Sequence, residues 1–188
     1  MYDSAVKIVG LCGRSGAGKS SVVAIVRESL PAVQIISTGD AIRQLLNRRG
    51  IEINHYNLQS ITKEILADRG ENYISIVFDL IDSKFPITLI DSFRRLEDVA
   101  CVTKAFGQPL IISISAPATV RFNRLLARSR PSDALDEASF KDLTLLENSW
   151  GVENLCRIAE IQIENTNTYA ELRKQTLAVL RKVFQPFC

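Results

Sequence analysis

The sequence predicts an α/β fold of three layers, with a parallel five-stranded sheet between helices. Two observations predict it. Apolar, strand-sized runs alternate with segments of helical period along the whole chain, and sequential strands separated by helices pair in parallel. The first run, 6–11, leads through a glycine-rich stretch directly into a helical pattern at 22–30. No repeat, low-complexity tract or linker interrupts the pattern, so residues 1–188 read as one domain.

The glycine-rich stretch is Gly13-Arg14-Ser15-Gly16-Ala17-Gly18-Lys19-Ser20, which fits G-x-x-x-x-G-K-[ST]. Glycines at 13, 16 and 18 leave no Cβ in the way, so backbone N–H groups can turn inward around an anion. The helix that starts near Lys19 adds the positive end of its dipole. In such a phosphate loop Lys19 reaches the β- and γ-phosphates and the Ser20 hydroxyl ligates Mg²⁺. The competing reading is a glycine-rich turn that happens to carry Lys-Ser. The strand-like run before it and the helical run after it favour the phosphate loop. Gly13 to Ser21 are therefore the expected ATP-binding residues: Gly13, Arg14, Ser15, Gly16, Ala17, Gly18, Lys19, Ser20 and Ser21.

Helix one spans 19–30, stopped by Pro31, and strand two is 33–36. Ser37-Thr38-Gly39-Asp40 reads as a turn into a helix with Asp40 as N-cap. Ile42, Leu45 and Leu46 form that helix's apolar stripe, Arg43 lies on the other face, and Gly50 ends it. Helices follow at 56–68 and 72–83, so 39–84 reads as a helical insertion that builds a binding surface. Strand three, 87–90, ends at Asp91. An acid at a strand's carboxyl end is either a metal-site carboxylate or a cap for the next helix, and the upstream phosphate loop favours the metal.

Strand four is 110–115, and Pro117 opens a helix. Arg121, Arg124 and Arg128 share a face of it, and Arg130 follows. The plain reading is a solvated basic face. The polyanion bound next door favours phosphate contact. Residues 129–138 are polar and suit a short lid. Helical period resumes at 137–150. Strand five is 158–164, and a final helix at 169–184 turns Leu172, Leu177, Leu180 and Phe184 inward. Trp150 and His55, each without an obvious partner, read as core packing and surface polarity.

Bulk properties exclude several classes. The net charge of +2 is too small to argue for nucleic acid or an anionic membrane. No aromatic interleaves the arginine stretch apart from Phe122, so no stacking platform for nucleic acid is expected. Charges break every long apolar run, so neither a membrane-spanning helix nor a secretory signal is expected. Cys12, Cys101, Cys156 and Cys188 lack C-x-x-C spacing and have one His to join them, against a zinc site or a disulfide framework. A cytoplasmic, reduced protein is the expectation, with Cys12 a small buried residue of the loop approach.

Several segments resemble the adenylate kinases. Ser37-Thr38-Gly39-Asp40-x-x-Arg43 is similar to their monophosphate-site segment, and Leu89-Ile90-Asp91-Ser92-Phe93-Arg94 to a later strand end followed by Arg. Arg121-Phe122-Asn123-Arg124-Leu125-Leu126-Ala127-Arg128 resembles their lid-helix arginines, and Ile163-Glu164-Asn165-Thr166 their terminal strand and adenine-side loop. Small, archaeal-type adenylate-kinase-related proteins also share the order of Ser149-Trp150-Gly151-Val152-Glu153 and a last strand ending in Asn. Two departures stand out. Ser92 occupies a position where those relatives carry Gly, and Pro131-Ser132-Asp133 replaces two adjacent acids.

The resemblance implies strand order 2-3-1-4-5. It also implies ATP-dependent phosphorylation of a nucleoside or deoxynucleoside monophosphate, with Mg²⁺. Lys19, Arg124, Arg128 and Arg94 would act on the transferring phosphoryl group. Arg124 and Asn165 would join the ATP site. Thr38, Asp40, Arg43 and Arg94 would hold the acceptor, Arg121, Arg128 and Arg130 would belong to the lid, and Ser20 and Asp91 would hold the metal. Two alternatives stay open: a kinase of the dephospho-coenzyme A type, for which Asp40 is the only obvious base, and a regulatory ATPase working through a partner.

Overall fold

In the computed structural model, which describes residues 6–53, 55–91, 93–128 and 136–184, β1 (Lys7–Cys12) is the central strand. The other strands are β2 (Val33–Ile36), β3 (Ile87–Ile90), β4 (Leu110–Ser115) and β5 (Ile161–Glu164), in the order β2-β3-β1-β4-β5. The recorded pairings are parallel: Lys7 lies opposite Ile87, Val33 opposite Ile87, and Ile112 opposite Ile161. Burial on both faces explains why these strands read as continuous apolar runs. All of Ile87–Ile90, Thr88 included, is buried.

The helices are α1 (Lys19–Ser29), α2 (Thr38–Arg48), α3 (His55–Arg69), α4 (Leu96–Phe106), α5 (Ala118–Arg128), α6 (Glu137–Ser149), α7 (Val152–Ile158) and α8 (Tyr169–Phe184). The segment Gly70–Leu80 is a 3₁₀ helix kinked at Asn72, not the regular helix expected over 72–83. Helix α7 was not expected, and it takes Ile158 out of the last strand. Pro117 stands just before α5, and its carbonyl accepts from Arg121 N–H at 3.0 Å. Among the described residues, no helix is long and apolar enough to cross a membrane.

The chain divides into two compact units. One comprises the residues up to Gly10, Ala32–Phe93 and Glu97–Pro109. Its core joins Ile42 and Leu46 of α2, Ile61 and Ile65 of α3, and Ile74, Val77 and Phe78. Phe78 meets Phe106 edge-to-face at 5.0 Å. The buried Thr88 hydroxyl donates to Gln34 Oε1 at 2.9 Å, and Gln34 Nε2 donates to Leu80 O at 2.7 Å, so one amide satisfies a polar group in β3 and ties down the end of the 3₁₀ segment.

The other unit comprises Leu11–Pro31, Arg94–Leu96 and the chain from Leu110 onward. Here Ile25 and Val26 of α1, Ile111 and Ile114 of β4, Leu125, Leu155 and Ile163 are buried. On α8, Leu172 and Leu180 are buried as expected. Leu177 is only half-buried, and Thr176 takes the inward place beside it. The side chains of Phe184 and His55 lie outside the described residues, as do the first residues of the lid stretch, 129–135, with Arg130 among them. From Glu137 that stretch is already α6, with Asp136 as its N-cap.

Candidate functional site

The site grows from the loop after β1. Gly13 sits at φ 142°, and a Cβ there would strike the carbonyl of Ile114 in β4. Gly16 sits at φ 78°, and a Cβ there would lie 2.6 Å from Arg121 O in α5. Both positions need a residue without a side chain, because the loop runs against neighbouring backbone. Ala17 N–H donates to Arg14 O at 3.1 Å and Val22 N–H to Gly18 O at 3.1 Å, which closes the loop into the first turn of α1. Lys19 Nζ donates to Gly13 O at 2.6 Å and to Arg14 O at 3.2 Å, so the ammonium is folded over its own loop. Ser20 and Ser21 follow in the first turn, with Ser20 exposed.

A buried carboxylate braces the same loop. Glu147 Oε1, on α6, accepts from Ser15 N–H at 2.6 Å. Its other oxygen lies 3.9 Å from both Arg14 Nη1 and Arg121 Nη1. Glu147 and Arg121 are each only 4% exposed. Arg121 Nη1 also donates to Ser15 O at 3.2 Å, and its guanidinium sits 5.1 Å from the centre of the Phe140 ring. Burial pulls the Arg121 pKa down, Glu147 pushes it back up, and Arg14 lowers it further. Arg14 Nη2 reaches Asn148 Oδ1 at 2.6 Å and Glu153 Oε2 at 3.0 Å. Arg121 is therefore no part of a solvated basic face. It is a buried strut of the phosphate loop.

Arg124 and Asn165 meet at the loop. Arg124 Nη2 donates to Asn165 Oδ1 at 3.2 Å, and Asn165 Nδ2 donates to Ala17 O at 2.8 Å. Asn165 is held in turn by its own N–H to Ser115 O at 2.8 Å. Arg124 Nη1 is buried without a hydrogen-bond acceptor among the described residues. Arg128, one turn further along α5, is exposed. Arg94 has its guanidinium 4.9 Å from the centre of the Trp150 ring, so Trp150 is a half-exposed stacking partner and not a core residue.

In the other unit, the N-cap of α2 is Ser37 and not Asp40. Ser37 Oγ accepts from Asp40 N–H at 3.2 Å, while Asp40 Oδ2 accepts from Ser37 N–H at 3.0 Å and from Ser37 Oγ at 2.8 Å. This is a capping box with Asp at its third helical position. Arg43 Nη1 donates to Asp40 Oδ1 at 3.2 Å. Both carboxylate oxygens of Asp40 are thereby engaged. Thr38 is the half-buried first residue of α2. Asp91 closes β3 with its N–H on Ile36 O at 2.9 Å. Because α4 begins only at Leu96, Asp91 does not cap it. Ser92 lies outside the described residues.

Glu147, Glu153 and Cys156 were not legible as site residues. No motif in the sequence gives Glu147 a role, Glu153 figures only in the segment 149–153, and nothing local links them to a loop over 130 residues earlier. With Arg14, Ala17, Ser115 and Arg121, Glu153 and Cys156 line a cavity of about 320 Å³ beside the loop.

Comparison with known proteins gives this arrangement a family. The chain belongs to the AAA domain family, whose model matches residues 12–141, from the end of β1 into α6. It is 28% identical over 178 residues to a UPF0200 protein of Methanosarcina barkeri, covering 93% of this chain and 95% of that protein. Its fold is similar to that of the dephospho-CoA kinase of Campylobacter jejuni, with a TM-score of 0.61, 14% identity, and 97% and 100% of the two chains covered. It is also similar to the shikimate kinase of Acinetobacter baumannii, with a TM-score of 0.56, 14% identity, and coverage of 98% and 96%. The five-stranded parallel sheet in the order β2-β3-β1-β4-β5 with flanking helices is the fold shared with these two kinases.

Proposed function

With that family membership as premise, we propose that the chain transfers the γ-phosphoryl group of ATP to a nucleoside monophosphate. The donor side rests on the loop. Phosphoryl transfer needs little covalent help, so positioning and charge neutralisation carry it. Backbone N–H groups of the 13–20 loop, other than that of Ser15, which Glu147 holds, cradle the donor phosphates, and Lys19 exchanges the carbonyls of Gly13 and Arg14 for phosphate oxygens by rotating its own side chain. Arg124 brings the buried Nη1, whose missing acceptor an anionic ligand would supply. Arg128 meets the transferring group from the same helix.

Ser20 and Asp91 offer the hard oxygen donors that suit Mg²⁺, and Asp91 is not spent on capping a helix. These oxygens would hold Mg²⁺, which would supply charge neutralisation to the donor phosphates.

The observation that carries the acceptor class is the state of Asp40. A hydroxyl acceptor, such as a ribose, calls for a base, and Asp40 is the candidate for that role. Its two oxygens are occupied by Ser37 N–H, Ser37 Oγ and Arg43. A monophosphate acceptor attacks with an oxygen that is already anionic and needs no base. In this reading Thr38, Arg43 and Arg94 contact the acceptor phosphate, and Asp40 sets the direction of Arg43.

The test is ADP formation with ATP and Mg²⁺ across a panel of monophosphates and dephospho-coenzyme A. Turnover that depends on a monophosphate supports the proposal. Transfer to the hydroxyl acceptor alone removes the monophosphate assignment. ATP hydrolysis indifferent to every acceptor removes the kinase itself and favours a regulatory ATPase.

A further inference from the structure

Two thiols stand face to face at the threshold of the phosphate loop. Cys12 is the last residue of β1, directly before Gly13, and Cys156 is on α7. Their sulfurs are 3.7 Å apart, although the residues are 144 positions apart in sequence. Cys12 is fully buried, whereas Cys156 is partly exposed and lines the cavity of about 320 Å³. A reagent entering that cavity meets one sulfur and not the other.

We propose that Cys12 and Cys156 are an oxidisable dithiol, a modification site that takes low-molecular-weight disulfides and closes to an intramolecular disulfide. The geometry requires the sulfurs to approach from 3.7 Å to about 2.05 Å, within the reach of side-chain rotation. The order of events follows from access. The Cys156 thiolate attacks one sulfur of the reagent RS–SR, forming Cys156–S–SR, and the departing thiolate takes up the proton that Cys156 has lost. Cys12 then gives up its proton and attacks the Cys156 sulfur. The mixed disulfide breaks, and a second RSH leaves. Two electrons pass from the protein thiols to the reagent, and one disulfide is exchanged for another.

The electrostatics suit these roles. The hydrogen bond shared with Cys12 holds the Cys156 thiol below its ordinary pKa against the opposing effect of burial, and Lys19 and Arg14 add to the lowering. That shared bond and burial push Cys12 up, and because Cys12 is fully buried and does not line the cavity, it is the resolving thiol. Arg14 and Glu153 already join the loop to α7 through an ion pair of 3.0 Å, and the disulfide would add a covalent tie between the same two elements.

The wild-type chain is treated with oxidised glutathione, digested without reduction and mapped by mass spectrometry. The expected result is a peptide pair cross-linked through Cys12 and Cys156, with both thiols lost together and recovered with dithiothreitol. Cys12→Ser should stop at glutathione on Cys156, and Cys156→Ser should leave Cys12 unmodified in the folded protein. Stable glutathione on Cys156 of the wild type, or modification of Cys101 while Cys156 stays reduced, would overturn the proposal. The Cys156→Ser arm replaces a half-exposed residue, so it remains decisive even where the buried Cys12→Ser variant fails to fold. No arm uses nucleotide or turnover, so its outcome is independent of the kinase reading.

Discussion

Replacing Glu147 should weaken the fold and at the same time strengthen its hold on anions. At 3.9 Å from each of two guanidinium groups, its carboxylate is attracted by about 4 kcal/mol per pair at an effective dielectric constant of about 20. Most of that is offset by the cost of taking three charges out of water. Removing the carboxylate alone forfeits the attraction and leaves the cost. Arg14 is cushioned, since it keeps Asn148 and Glu153 and is 20% exposed. Arg121 is not, for it keeps only Ser15 O and the Phe140 ring among its recorded contacts. Glu147→Ala also strips the acceptor from Ser15 N–H, so its expected cost is about 3 kcal/mol, within the range for breaking a buried pair. Glu147→Gln keeps an acceptor and should cost about 2 kcal/mol. With a urea m-value of about 2 kcal/mol/M, the midpoint of Glu147→Ala falls by about 1.5 M at unchanged slope. Inorganic phosphate should restore part of the loss in Glu147→Gln, because a dianion bound to the native state supplies the missing charge. Urea titrations with and without phosphate decide. Midpoints of both variants within about 0.25 M of wild type would refute the reasoning.

Lys19→Ala should lower turnover by about 10²–10³ with an unchanged circular dichroism spectrum, and near-normal turnover would remove the phosphate-loop assignment. Steady-state kinetics of Arg43→Ala and Arg94→Ala should show the KM for the monophosphate rising much more than that for ATP, and the reverse pattern would move the acceptor elsewhere. Ser37→Ala removes the N-cap of α2 and should cost about 1 kcal/mol in thermal denaturation. Hydrogen bonds from Ser139 hold the Asp136 carboxyl below its usual range. The stability it contributes is therefore present above its unfolded pKa of about 3.9 and lost as the pH falls through the lower folded value. Asp136→Asn should flatten the acid limb of the stability curve below about pH 4, and an unchanged limb would contradict the cap.

What could be read from the sequence was local in origin. The strand runs were legible because the interior strands are buried on both faces, and the phosphate loop because its glycines, lysine and serine are contiguous. Helix α7 escaped because seven residues make less than two full turns of periodicity, and the apolar Ile158 and Ala159 run on into the alternating Ile161 and Ile163 of the strand. Asp40 was read as a cap because a capping box usually carries Glu or Gln at the position that Asp40 fills. The brace on the loop depends on a contact between residues 132 apart, and no spacing rule carries that.

Glu147 also bears on how the loop would meet a phosphate under the proposed function. Lys19 is held by carbonyls of its own loop, and turning it toward a ligand moves one side chain. Glu147 is buried on α6, and releasing Ser15 N–H from it would break that hydrogen bond and draw the carboxylate away from both Arg14 and Arg121, with Arg14 still pinned to Asn148 and Glu153. A ligand therefore displaces the carbonyls from Lys19 and leaves the carboxylate in place. Under the proposed function the carboxylate would then act on ATP through charge alone, by offsetting one of two neighbouring arginines. Under that mechanism the gain in ATP affinity of Glu147→Gln shrinks with salt, since charge acting across a partly solvated site is screened over about 8 Å at physiological ionic strength. A plug that competes directly for the phosphate position would leave a gain that salt does not erase. Titrating ATP against wild type and Glu147→Gln at low and high salt separates the two, and a salt-independent gain would show that Glu147 and the phosphate share one place.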